Sequence, residues 1–140
     1  MWNMICPLAL VVASNSLYHV VAKETPSGAN AFLSLTVTYL VAAGVSAMLF
    51  AAGGQTALLP ELKKLNWATL AMGAAVMGLE LGYICLYRAG WKISLGSLVG
   101  NILLACVLLV VGLLLYKEAV TLRQLAGMAV CAVGLFLVCK

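Results

Sequence analysis

Apolar residues come in long, nearly unbroken runs along this chain, interrupted by short clusters of Pro, Gly, Lys and Glu. Runs of about 20 such residues match the length of a helix that crosses a bilayer. The first predicted span runs from Met4 to Ala22 and ends at Lys23-Glu24-Thr25-Pro26-Ser27-Gly28, where Pro and Gly halt a helix. The second covers Asn30 to Ala52 and closes on Gly53-Gly54. The longest connection follows, Gln55 to Asn66, carrying Glu61, Lys63 and Lys64. Span three covers Trp67 to Arg88. After Ala89-Gly90-Trp91-Lys92, span four covers Ile93 to Tyr116. Lys117-Glu118-Ala119-Val120 forms the last turn, and span five runs from Thr121 to Cys139, its Thr121 and Gln124 at capping-box spacing. Trp2, Trp67 and Trp91 stand at span ends, where amphipathic rings favour the headgroup level. The pattern predicts an all-α membrane protein of five transmembrane helices in a single domain over residues 1–140.

Composition agrees and narrows the field. Hydrophobic residues make up 65% of the 140 positions and charged residues 9%, with a mean hydropathy of +1.13. Soluble domains carry roughly 25% charged residues, so the solvent this chain is built for is the lipid bilayer. Five spans leave no room for a soluble domain. The net charge of +4 rests on eight Lys and Arg residues scattered through the connections, which is no footprint for nucleic acid. Cys6, Cys85, Cys106, Cys131 and Cys139 all fall in apolar stretches without zinc-ligand spacing and read as free thiols. Nothing has the form of a nucleophile, a metal site or a nucleotide loop, so neither an enzyme nor a cofactor is expected. The first apolar run lacks Lys or Arg ahead of it and is interrupted by Asn15, Ser16 and His19, so it reads as a span rather than a signal peptide.

Five spans put the two termini on opposite sides of the membrane. Lys63, Lys64, Lys117 and Arg123 then lie on one side, and Lys23, Arg88, Lys92 and Lys140 on the other. Loop charge that normally fixes orientation is therefore balanced, four against four. Loop position and the N-terminus settle the orientation in one reading. In the other, the chain inserts both ways and pairs with an inverted copy of itself as an antiparallel homodimer.

A few polar residues lie inside the runs. Glu80 is eight residues before Arg88, about 12 Å along a helix and inside the hydrocarbon region, where a charge costs at least ~2.5–3.5 kcal/mol. Such an acid either marks an ion and substrate pathway or ties helices together as a hydrogen-bonded group. Gly73, Val76, Glu80, Tyr83 and Tyr87 share one helical stripe, in which Tyr83 is a candidate lining residue and Tyr87 either lines a cavity or belongs to an interface belt. Asn15 and His19 lie four residues apart on span one, flanked by Tyr18. His19 either shares protons with Glu80 or is a neutral, hydrogen-bonded residue near the membrane surface. Ser94, Ser97 and Asn101 give span four a polar stripe, and Ser34 and Thr38 give span two a milder one; each is a lining or interhelical glue. Gly78-xxx-Gly82 and Gly96-xxx-Gly100 permit close helix approach, and Gly127 with Cys131 offers a small face for a dimer contact. Glu118 beside Lys117 reads as a surface pair or cap.

Glu80-Leu81-Gly82-Tyr83-Ile84-Cys85-Leu86-Tyr87-Arg88-Ala89, the segment Ser94-Leu95-Gly96-Ser97-Leu98, and Leu115-Tyr116-Lys117-Glu118 with Thr121, Gln124 and Gly127 resemble one half of an EamA-type protein of the drug/metabolite transporter superfamily. The last two spans are also similar to the end of small multidrug resistance proteins. The resemblance covers nearly the whole chain. It implies an exporter of small organic solutes coupled to an ion gradient and a half that must find a partner; with the residues above, the reading is a homodimeric inner-membrane transporter, ion- or proton-coupled, whose acid and aromatic rings favour cationic or zwitterionic solutes. Glu80, Tyr83, Tyr87, His19, Asn15, Ser97 and Asn101 are the candidate residues for substrate and coupling ion. Typical members have ten helices in two inverted halves, whereas five are predicted here. Small multidrug resistance proteins carry their coupling acid in the first helix, where this chain has none before Glu24. A small dual-inserted ion channel and a non-transporting subunit of a larger membrane complex fit the same pattern.

Overall fold

The computed structural model describes residues 2–54, 58–117, 119 and 121–139, with side chains over 5–54, 58–117, 119, 121–134, 136 and 137. These residues form six helices and no strand. They are α1 (Trp2–Glu24), α2 (Ala31–Ala52), α3 (Leu58–Leu62), α4 (Trp67–Arg88), α5 (Ile93–Leu115) and α6 (Leu122–Cys139). Four are long and apolar enough to cross a membrane: α1 over Ile5–Glu24, and α2, α4 and α5 over their full lengths. The protein is a multi-pass helical membrane protein. α6 stands where the fifth span was expected, at 18 residues and with Leu122–Gly134 as its described apolar stretch.

Local chemistry explains the helix ends. Asn30 Oδ1 accepts from the backbone N–H of Phe32 at 2.9 Å and of Leu33 at 3.3 Å, capping α2. Asn66 Oδ1 accepts from Ala68 N at 3.0 Å at the start of α4. The capping box read from the sequence is closed in both directions. Gln124 Oε1 accepts from Thr121 N at 2.8 Å, and Thr121 Oγ1 accepts from Gln124 N at 3.3 Å. Gly54 (φ 72°) and Gly90 (φ 94°) adopt the left-handed backbone that follows α2 and α4. Lys117 takes the same conformation (φ 52°) after α5 without being a glycine.

The longest connection is more ordered than its composition indicates. It contains α3, whose Glu61 pairs with Lys64 just beyond its end. Gln55 in that connection, Glu118 with its expected pairing to Lys117, and Lys140 in the charge balance lie outside the described residues. So do the Trp2 and Cys139 side chains.

The chain divides into two units, one through Arg88 and one from Ala89 onward. In the first, α1 and α2 each pack against α4. In the second, α5 packs against α6, with Gly96 and Gly112 of α5 buried. Very little is enclosed: besides those two glycines, the described buried residues are Ala22, Leu35, Ile84, Tyr87 and His19. Large apolar side chains point outward instead, Leu70 at 80% and Leu122 at 86% exposure among them. In water such a surface would drive aggregation; in a bilayer, acyl chains cover it. Gly78 and Gly82 also face open space, so the close approach their spacing permits is not made inside this unit. Cys6, Cys85, Cys106 and Cys131 are free thiols, as expected.

Candidate functional site

The polar residues of the first unit converge along α4. Positions three and four apart on a helix share a face, and here that face meets both α1 and α2. Glu80 is half-buried and lines a cavity of about 330 Å³. Its walls come from α1 (including Tyr18), Thr25 just past its end, α2 (including Ser34 and Thr38) and Ile84 of α4. Glu80 is the charged residue in that lining. A second space, about 340 Å³, lies between Tyr39 of α2 and Thr69, Met72, Gly73 and Val76 of α4. Gly73, Val76 and Glu80 of the sequence stripe thus do face cavities.

Two tyrosine hydroxyls attend the carboxylate. Tyr18 and Tyr39 both lie within electrostatic reach of Glu80. The Tyr39 hydroxyl is near Glu80 but closes no hydrogen bond with it. Both hydroxyls are buried and otherwise unpartnered. Tyr39 lines the second space and Glu80 the first.

One to two turns further along α4 lies an aromatic cluster. Tyr87 Oη and His19 Nδ1 share a hydrogen bond of 2.8 Å, with both residues buried. Tyr83 and Tyr87 stack with centroids 6.0 Å apart, and the His19 ring meets Tyr83 edge-on at 4.7 Å. Tyr18 closes the cluster, 5.2 Å from His19 and 5.9 Å from Tyr83. Nε2 of His19 is buried without a partner. Lys23 Nζ sits 5.9 Å from the Tyr87 centroid. Beyond the cluster Arg88 donates to the carbonyls of Pro26 at 2.9 Å and Ala29 at 2.8 Å, binding the α1–α2 loop to the end of α4. A third space of about 330 Å³, lined by residues 22–27 with Tyr87 and Arg88, lies there.

The structure therefore brings Glu80, Tyr83, Tyr87 and His19 into one unit along the α1–α4 interface. Tyr87 is buried there. His19 is hydrogen-bonded to Tyr87. Asn15 is exposed on α1 and outside the cavity lining. Ser97 and Asn101 belong to the second unit, where the Ser97 hydroxyl donates to its own helix at Ile93 O, 2.8 Å away, and Asn101 is exposed. Sequence reasoning missed Tyr39, one residue past the Ser34/Thr38 stripe, and the bridging role of Arg88. A tyrosine inside an apolar helix was the available signal for Tyr39, since its hydroxyl needs a partner. Among the described residues no group of His, Cys, Asp and Glu is arranged to hold a metal ion. Comparison with family models, characterised proteins and solved structures returns no match.

Proposed function

We propose that this chain is a subunit of an ion-coupled membrane transporter, an exporter of small organic cations or zwitterions, with Glu80 as the coupling and substrate-binding group. The observation that carries this reading is the position of Glu80. It is an acid deep in a spanning helix, on the wall of a cavity that no Lys, Arg or His lines. An intramembrane carboxylate needs water, a proton or a cationic partner, and a cavity of about 330 Å³ has room for a small solute. The proposal includes α6 as a fifth span, assembly as a homodimer in the inner membrane, and kinship with the EamA-type half-transporters that the motifs resemble. Balanced loop charge supports an antiparallel arrangement of the two copies.

Proteoliposomes with an imposed proton gradient test it. Glu80→Gln keeps side-chain shape while removing the exchangeable proton, so gradient-driven flux should vanish with thermal stability nearly unchanged. Glu80→Asp should retain partial flux. Full gradient-driven flux by Glu80→Gln refutes the coupling role. Flux that follows electrochemical potential alone and does not saturate would identify a channel.

A further inference from the structure

We infer that the Glu80 cavity selects a primary ammonium group on a compact apolar body, recognising its N–H donors and not its charge alone. This rests on the transporter reading above for its biological sense, but it is a statement about binding and is tested as such.

Two hydroxyl protons of the wall are already committed. Thr38 Oγ1 donates to Ser34 O at 3.1 Å, and Thr25 Oγ1 donates to Val21 O at 3.4 Å. Each hydroxyl proton is thereby committed to the helix backbone, and each oxygen retains lone pairs. Both threonines line the cavity beside Glu80, whose ionised carboxylate is an acceptor only. No Lys, Arg or His lines the wall, and the hydroxyls of Ser14, Ser34 and Tyr18 there can accept as well as donate, so the acid is surrounded by oxygens with lone pairs to offer. A ligand that complements it must bring several donors and a positive charge, and a primary ammonium brings three N–H groups. A quaternary ammonium brings none.

Aromatic geometry points the same way. Quaternary ammonium groups are held by open aromatic faces arranged around the cation. Here Tyr83 and Tyr87 are stacked on each other, and His19 and Tyr18 pack edge-on against the cluster. Of these rings Tyr18 alone reaches the cavity lining. The remaining wall is aliphatic, with Leu17, Val21, Leu35 and Ile84 suited to an alkyl or phenyl body. At about 330 Å³ the space lies at the small end of the range for ligand sites, roughly 300–1,000 Å³.

The test is titration calorimetry on the purified full chain in nanodiscs, against empty nanodiscs. The probes are phenethylammonium, its N,N,N-trimethyl counterpart and the neutral 2-phenylethanol. Phenethylammonium should bind at least roughly tenfold tighter than either of the others, because a site built for hydrogen bonding rejects analogues that leave its groups unpaired. Thr38→Val, which removes an acceptor while leaving an aliphatic wall, should weaken the primary amine several-fold and leave the trimethyl compound unchanged. Glu80→Gln should abolish the preference, and each variant's thermal melt confirms that it is folded. Equal or tighter binding of the trimethyl compound overturns the inference, as does failure of all three probes to bind folded protein. Binding with the stated preference but without gradient-driven flux refutes the transporter reading and leaves this inference standing. Saturable flux of other solutes without amine preference does the reverse.

Discussion

Tyr87→Phe isolates one hydrogen bond in the first unit. The substitution removes only the hydroxyl that meets His19 Nδ1 at 2.8 Å and leaves a ring that still stacks 6.0 Å from Tyr83. His19 is 5% exposed and its Nε2 already has no partner, so the variant leaves both ring nitrogens unsatisfied. An orphaned buried polar group costs about 1–3 kcal/mol in soluble proteins. Interhelical bonds in membranes average ~0.6 kcal/mol and reach ~1.7, since the inserted but unpacked chain also finds partners. The bond joins α1 to α4 near their ends, and about 1 kcal/mol is the expected loss. His19→Leu should lose a similar amount by orphaning the Tyr87 hydroxyl. The double variant replaces both partners with apolar groups, so it should be no worse than either single variant, giving a coupling near 1 kcal/mol. Reversible unfolding in mixed micelles measures all four corners of the cycle. Strict additivity would refute the reasoning, because it would mean that the pair contributes nothing as a pair.

Three further outcomes follow from the geometry. Arg88→Gln should cost about 1 kcal/mol, discounted for exposure, and should speed amide exchange at Ala29, whose N–H bonds to Pro26 O; unchanged exchange would remove Arg88 from the loop's support. Asn30→Ala should destabilise α2 by about 1 kcal/mol and Asn30→Asp should not, as read by thermal melts, with equal effects of the two excluding the cap. Gly78→Ala should stabilise the monomer by about 0.5–1 kcal/mol, since the new methyl meets open space and helix propensity improves; loss of monomer stability would contradict that openness, and loss of a cross-linked dimer would locate the contact there.

The four long apolar helices were legible because each is an apolar run bounded by residues with definite local chemistry. The Thr121/Gln124 pair caps where its spacing predicts, Asn30 caps α2 from just outside the helix it was expected to begin, and Gly54 and Gly90 take the left-handed turn at the helix ends. α3 was not legible: Leu58–Leu62 holds a single turn's worth of periodicity, and Pro60 there reads as a breaker although the first turn of a helix accommodates it. The stripe of Gly73, Val76, Glu80, Tyr83 and Tyr87 identified the face of α4 but not its partners. Which helix approaches that face is a tertiary fact, so the placement of Tyr39 by Glu80 and of His19 by Tyr87 had no signature in spacing. Asn15 shows the converse, since a polar residue one turn from His19 still faces outward.

The pairing of α4 with both preceding spans has a consequence for synthesis. Neither α1 nor α2 packs on the other among the described residues; each finds its neighbour only in α4. The emerging hairpin of the first two spans therefore leaves the translocation machinery with nothing to close upon. His19 waits for Tyr87, and the loop carbonyls of Pro26 and Ala29 wait for Arg88, at the far end of a helix not yet made. Ribosome pausing before Arg88 would thus prolong an open intermediate, and a membrane chaperone or protease has its window there.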